Sequence, residues 1–325
     1  LVYSSVLSLP VVFDELVPRL AAALGDTPAS GQFPLTITHA RGSTTLDAPA
    51  RRVVALEWTY VENLLALGVQ PIGVADIAGY NSWVSVPVAL DPAAQDVGTR
   101  QEPNLEQIAA LKPDLIIAPS FRVDANYAEL NAIAPTVAFD PYPTDEALTQ
   151  YDEMLQTFRA IAQAVGRESE GEAVLAQMEA TFTAQAARVA EAGAAGEPFV
   201  LAQAFSGGSG AAEVRLFTEN ALATQIVGRL GLENAWEDAA FQQYGFSTVS
   251  VEALPTLGEA RFFYVVQDDD DVFAAAAVRP LWESLPFVQA GKAHALGGDT
   301  WLFGGPLSAE QLATLVADTL LAANE

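Results

Sequence analysis

Residues 146–166, Glu146-Ala-Leu-Thr-Gln-Tyr-Asp-Glu-Met-Leu-Gln-Thr-Phe-Arg-Ala-Ile-Ala-Gln-Ala-Val-Gly166, decide how this chain is organised. Leu148, Tyr151, Leu155, Phe158, Ile161, Ala162 and Val165 recur at spacings of three and four, so they share one face of a helix, and Gly166 follows as a stop signal. Ahead of this helix the chain reads as apolar strands at Val53–Leu56, Pro71–Ala75, Asp114–Ala118 and Thr136–Phe139. Helical stretches separate them, one carrying Val61, Leu64 and Leu65 and one over residues 105–111. Behind it come a second helical stretch at 170–191, a strand at Phe199–Ala202, a helix near 219–230, a strand at Phe262–Val266 and a closing helix over 308–322. Apolar strands separated by helices predict parallel sheets covered on both faces. The expected fold is therefore α/β, with two lobes of mainly parallel sheet joined by one long rigid helix. The boundaries read from the pattern are a peripheral segment 1–33, a first lobe 34–145, the connecting helix 146–168 and a second lobe 169–325. In the peripheral segment Leu16, Leu20 and Leu24 could share a helical face, but Pro10, Pro18 and Pro28 interrupt it.

The halves echo one another. Asn104-Leu-Glu-Gln-Ile108 precedes a helix and strand in the first, and Ser250-Val-Glu-Ala-Leu254 stands in the same relation to Phe262–Val266 in the second. Leu64-Leu-Ala-Leu-Gly68 likewise resembles Ile226-Val-Gly-Arg-Leu-Gly231. Ligands of such paired α/β lobes sit between them, near the carboxyl ends of the strands.

Composition narrows the function. A chain of 325 residues with 51% hydrophobic and 17% charged residues has apolar material for two packed lobes, which excludes a disordered chain. No unbroken apolar run reaches the length of a membrane span. Fifteen basic against 41 acidic residues give a formal charge of −26, which excludes nucleic-acid binding through a general basic surface. The absence of cysteine removes disulfides, thiol catalysis and iron–sulfur ligation, and two histidines, His39 and His294, are too few for a histidine-rich metal site. No basic n-region opens the chain at Leu1, so no intact signal peptide is read there.

Against this acidic background a few arginines stand out. Arg100 lies in the Gly-containing loop Asp96-Val-Gly-Thr-Arg100, and Arg122 in Pro119-Ser-Phe-Arg122 just past a strand. A guanidinium is permanently charged and offers a planar fork to carboxylate-like oxygens. Either arginine alone reads equally well as half of a surface ion pair; together, after successive strands, they read as a site. Arg215, in Val214-Arg-Leu-Phe217, reads either as a third cleft cation or as a surface residue. The aromatics Trp58, Tyr80, Trp83, Tyr244, Phe246, Trp301 and Phe303 are assigned mostly to polar or Gly-flanked loops. Core packing is the default for any one of them, and a cleft lining is the reading for the set. Glu106 and Glu252 occupy matching places in the two lobes. Each suits the first turn of a helix, and as a pair they suit docking of a basic partner. The Gly-rich Ser206–Gly210 lacks a phosphate-loop continuation, and Asp268–Asp271 lacks EF-hand spacing and reads as a solvated loop.

The residues also carry a resemblance. Arg51-Arg-Val-Val-Ala-Leu-Glu-Trp58, Ala66-Leu-Gly-Val-Gln-Pro-Ile-Gly-Val-Ala-Asp76, Val97-Gly-Thr-Arg100 with Glu102-Pro-Asn-Leu-Glu106, Leu111-Lys-Pro-Asp-Leu-Ile-Ile117, Pro280–Val288 and Trp301–Ser308 resemble the iron–siderophore solute-binding proteins of ABC importers, over roughly residues 34–322. The ferrichrome and ferric-citrate types are the most similar. The resemblance implies a helical-backbone, type III periplasmic binding protein that delivers a ferric chelate to a permease dimer and catalyses nothing. It implies no cofactor and no metal held directly by the protein, a monomer, and a periplasmic or extracellular location that lipid anchoring would suit.

Carried over by position, Arg100 matches the arginine that contacts iron-ligating oxygens. Trp83, Tyr244, Trp301 and Phe303 match aromatic pocket positions, and Glu106 and Glu252 match the acids that meet arginines of the permease. Arg122 stands where the ferric-citrate type also has arginine but the ferrichrome type has tyrosine. Arg215 stands where the ferrichrome type is apolar. These departures favour a negatively charged, citrate- or carboxylate-containing siderophore. Capture of haem or cobalamin is the alternative within transport. Outside it stand a chelatase-like enzyme on the same scaffold, for which the sequence offers no obvious histidine or carboxylate centre, and a signalling or adhesion module.

Overall fold

The computed structural model describes residues 32–208 and 211–322. Most of the peripheral segment expected over residues 1–33 lies outside the described residues. The described residues open with a hairpin, β1 (Leu35–His39) and β2 (Gly42–Leu46), that the strand pattern above does not include. Its pairing is antiparallel, and it docks on the first lobe where the Ala40 N–H donates to Ala138 O and the Thr44 hydroxyl to Thr136 O.

The first sheet is entirely parallel, in the order β5-β4-β3-β6-β7, from β3 (Val53–Ala55), β4 (Gly73–Val74), β5 (Gln95–Asp96), β6 (Leu115–Pro119) and β7 (Thr136–Phe139). Every residue of β3, β6 and β7 is buried, as expected of strands covered on both faces. Helices α1 (Trp58–Ala66), α2 (Ile77–Trp83), α3 (Leu105–Leu111) and α4 (Tyr127–Ile133) connect them. The bounds of α3 match the reading, since Asn104 accepts from the Glu106 and Gln107 N–H groups and fixes its start.

The connecting helix is shorter than the apolar period predicts. Helix α5 runs over Gln150–Ala164, because Thr149 and Asp152 form a reciprocal capping box that starts it, leaving residues 146–148 outside. Gly166, at φ +66°, ends it, and the 24-residue α6 (Glu168–Glu191) follows at once. Helix α5 packs on β1 and α1 of the first half, on α6, and on α7 (Leu222–Arg229) of the second.

The second sheet is mixed. Strands β8 (Pro198–Ser206), β12 (Arg261–Val265), β13 (Ala293–Ala295) and the short β10 (Glu233–Asn234) are parallel. Strands β9 (Ala212–Phe217) and β11 (Phe246–Ser250) add an antiparallel edge in the order β11-β9-β8-β12-β13. The echo between halves is partial. Leu67-Gly68 and Leu230-Gly231 both end helices with a left-handed glycine, at φ +70° and +91°. The counterpart of α3 after Ser250, however, is a 3-10 turn, Val251–Leu257, where Pro255 prevents an α-helix.

Two further short helices, α8 (Arg279–Ser284) and α9 (Pro286–Gln289), precede β13. The last helix, α10 (Pro306–Ala322), lies across α6, α7 and α1. Its N-terminus is held by Glu62 of α1, fully buried, which accepts from the Gly305 N–H at 2.9 Å, the Ser308 N–H at 2.8 Å and the Ser308 hydroxyl at 2.6 Å. Burial pushes the Glu62 carboxyl up, while these donors pull the other way. One continuous core joins Val53 and Leu115 of the first sheet to Phe199 and Phe263 of the second through α1, α5, α6, α7 and α10. A joint built this way resists hinge motion, because opening it would break packed apolar contacts.

Candidate functional site

The carboxyl ends of the first sheet converge on one edge. Past β3 comes Glu57, past β5 the loop to Arg100, past β6 the turn Ser120–Arg122, and past β7 Pro141-Tyr142. Across from them stand Arg215 on β9, Tyr244 and Phe246 at the start of β11, and the Trp301–Phe303 loop ahead of α10. Together they enclose a cavity of 440 Å³.

Its charge is organised by a residue that the sequence reading quotes but gives no role. Glu57 is buried, and its two carboxylate oxygens are divided between the arginines: Arg100 Nη1 donates to Oε1 at 2.6 Å and Arg122 Nε to Oε2 at 3.0 Å. The surface ion-pair alternative for these arginines is thus half right. They do pair with an acid, but a buried one inside the cavity. The Arg100 guanidinium also lies 3.4 Å from the centroid of the Trp58 ring and 4.0 Å from Asp76. Both arginines are therefore locked in place before any ligand arrives. Arg215 faces the cavity rather than the outer surface. It donates to Gln203 at 3.1 Å and lies between Phe205 and Phe246, 4.8 and 4.5 Å from the ring centroids. Burial lowers its pKa, which marks a cation with part of its hydration stripped away.

The aromatic expectations divide. Tyr244, Phe246, Trp301 and Phe303 line the cavity. Trp58, Tyr80 and Trp83 do not, and they lie in helices α1 and α2 rather than in loops. Trp58 and Tyr80 are each 3% exposed, and both Trp58 and Trp83 meet the edge of Trp301, at 5.0 and 6.5 Å between centroids. The physical reason is that Trp58 starts α1 against the buried sheet and Tyr80 and Trp83 lie on α2, where the rings pack into the first lobe instead of reaching the cavity. Trp58 braces both Trp301 and Arg100 from behind, and Trp83 braces Trp301. Tyr142 and Phe121, which the sequence reading passes over, do line the cavity. Tyr142 lies 5.5 Å from Phe121 and 5.2 Å from Tyr244, so an aromatic band runs from one half to the other. Burial, and then Glu57, push the Tyr142 hydroxyl up, while Arg122, Arg100 and Arg215 pull it down. Its outward signal in the sequence is only Pro141-Tyr-Pro143 directly after a strand.

Cross-half hydrogen bonds fix the lining. The Thr59 hydroxyl donates to Phe303 O at 2.6 Å, and the Gln243 amide to Tyr142 O at 2.9 Å. Glu106 and Glu252 lie away from the cavity, both exposed, in the first turns of α3 and of the 3-10 turn. The Ser250 hydroxyl holds the Glu252 carboxyl below its usual range. His39 pairs with the Thr44 hydroxyl, and His294 is buried in β13, so neither faces the cavity. Asp270 ties its loop to the Ser206 N–H and hydroxyl. No cluster of three potential metal-ligating acids or histidines occurs among the described residues, and none of their helices is long and apolar enough to cross a membrane.

Two α/β halves facing each other across a lined cavity, on a joint of packed helices, define a solute-binding protein of the helical-backbone type. The chain belongs to the periplasmic binding protein family, whose model matches residues 53–300. It is 32% identical over 258 residues to the iron(3+)-hydroxamate-binding protein FhuD of Escherichia coli, covering 79% of this chain and 83% of that protein. It is 30% identical over 292 residues to the Fe(3+) dicitrate-binding periplasmic protein FecB of the same organism, covering 90% and 91%. Among solved structures, FhuD of Vibrio cholerae with bound Fe3+–Desferal superposes with a TM-score of 0.74 at 31% identity, covering 84% of this chain and 98% of that one.

Proposed function

We propose that this chain is an extracytoplasmic receptor that captures a negatively charged ferric siderophore between its lobes and delivers it to an ABC permease. The hydroxamate- and citrate-binding relatives are similar to it to nearly the same degree, so the ligand class rests on the cavity. The observation that carries the reading is three guanidinium groups, Arg100, Arg122 and Arg215, lining one cavity with two carboxyl groups, Glu57 between Arg100 and Arg122 and Glu153 on the other side, in a chain of charge −26. An excess of positive charge there suits a chelate that keeps free carboxylates. At about 8 Å of screening length the acidic exterior contributes little inside.

Iron arrives already coordinated as cargo, so the reading calls for no cofactor and no catalysis. Arg100, Arg122 and Arg215 donate charge-assisted hydrogen bonds to ligand oxygens, and Tyr244, Phe246, Trp301 and Phe303 cover its apolar surface. Glu106 and Glu252, exposed on the two halves, are the anchor points for a basic permease surface. The continuous core and the Glu62 clamp support small lobe motion on binding.

Tryptophan quenching tests the ligand class, since Trp301 lines the cavity. Ferric citrate should quench at lower concentration than ferrichrome, a neutral trihydroxamate. A preference for ferrichrome would refute the anionic reading.

A further inference from the structure

Below its arginine-bearing mouth the cavity has a floor of different chemistry. Tyr60 and Asn63, three residues apart on α1, line it at 1% and 0% exposure. Among the described residues, the Tyr60 hydroxyl and both polar atoms of the Asn63 amide have no hydrogen-bond partner. Native interiors rarely leave buried polar atoms unpaired, so three together on a cavity wall point to something that enters. Facing them, α5 supplies Gln150, Glu153, Met154 and Thr157. Gln150 is already engaged, donating to Gln243 O and accepting from the Leu222 N–H. Glu153 accepts one hydrogen bond, from the Thr157 hydroxyl.

The cations of the mouth are missing from this floor. Tyr142 lies within the fields of Glu57 and then of Arg122, Arg100 and Arg215. At Tyr60, apart from Tyr142, the charges that act are the carboxylates of Glu153, Glu57 and Asp140. We propose that the floor is a subsite for a protonated amine arm of the ligand, held by the Glu153 carboxylate, Asn63 Oδ1 and the Tyr60 oxygen.

An ammonium has three donors and no acceptor, which matches the Glu153 carboxylate, Asn63 Oδ1 and the Tyr60 oxygen; the Asn63 Nδ2 donor is left for an acceptor elsewhere on the same arm. A carboxylate would meet the Glu153, Glu57 and Asp140 charges there, and a neutral hydroxyl would draw nothing from them. The ligand is then bipolar, with carboxylate oxygens at the arginines and a cation at the far end. This rests on the chelate reading above, because it concerns a second part of the same molecule. The groups around Glu153 are Thr157, Met154 and Gln150 on its own helix, Asp140 past β7, and Tyr60 on α1. Burial, reinforced by Asp140 and opposed by Thr157, pushes its carboxyl up to about 8. An ammonium beside it favours the ionised form, so preference for the amine grows as pH rises from about 6.5 to about 8.5.

The test uses two ferric chelates of citrate amidated on one carboxylate with 1,2-diaminoethane, one with the amine free and one with it acetylated. The readout is the ratio of their affinities for the full chain, which is insensitive to partial unfolding. At pH 8 the wild type should prefer the free amine by about tenfold or more, the ratio should fall to near one in Glu153→Gln, and it should drop several-fold in Tyr60→Phe. Equal binding of both chelates by the wild type, as for a floor filled by water, overturns the subsite and leaves the chelate reading standing. A preference that survives Glu153→Gln also overturns it. Failure of both chelates to bind the wild type overturns both readings.

Discussion

The two halves of the cavity hold their charge in different ways. In the first, Arg100 and Arg122 share one buried carboxylate, and Arg100 is also stacked on Trp58, so both are set before a ligand arrives. In the second, Arg215 has one neutral amide partner and two phenyl faces. The first half therefore supplies a fixed grip whose charge is partly spent. The second supplies a less neutralised cation within an aromatic wall. Recognition by preset groups loses less conformational freedom on binding, so the first half should dominate affinity for an anion.

The largest expected effect follows from that asymmetry. Arg100→Ala should weaken ferric citrate by about a hundredfold and Arg215→Ala by about tenfold, taking 1.5–3 kcal/mol for a charged hydrogen bond. Equal losses in titration calorimetry would erase the distinction between the halves. Next, Glu62→Ala takes the acceptor from three buried donors at the start of α10. It should cost about 1–3 kcal/mol of unfolding free energy in urea melts. An unchanged midpoint would show that α10 does not depend on this clamp. Glu57→Gln removes the negative charge between the arginines, so ferric citrate should bind about tenfold tighter while ferrichrome changes little. Weaker binding of ferric citrate would mean that Glu57 matters for holding the arginines in place more than for its charge. The smallest effect is expected at Tyr244, which is 49% exposed; Tyr244→Ala should cost about two- to threefold in affinity by the same calorimetry.

What the sequence made legible follows the same division between local and distant causes. Helix α3 and strand β7 fall where the pattern put them, because Asn104 caps one and the other is apolar at nearly every position and buried throughout. Arg100 and Arg122 are legible because each follows a strand in a short loop of an otherwise acidic chain. Glu57 is not. One acid after an apolar strand looks like a helix-start residue, and its partners lie 43 and 65 positions away. The antiparallel edge β9–β11 was missed for a related reason. Only Val214, Leu216 and Phe217 of β9 and Ser247 of β11 are buried, too short a run to stand out from a loop. Trp58, Tyr80 and Trp83 are expected in the lining from residue type and a loop setting, and Trp83 also from the resemblance; neither distinguishes the ring that faces a cavity from the ring that supports it.

The central claim is that Arg100 and Arg122 select a negatively charged iron chelate. It is tested most directly by measuring ferric citrate and ferrichrome binding to the wild type and to the Arg100→Ala, Arg122→Ala double variant at fixed ionic strength. The account predicts that the double variant loses more than a hundredfold in affinity for ferric citrate and less than tenfold for ferrichrome. Equal losses for the two chelates, or none for ferric citrate, would contradict it.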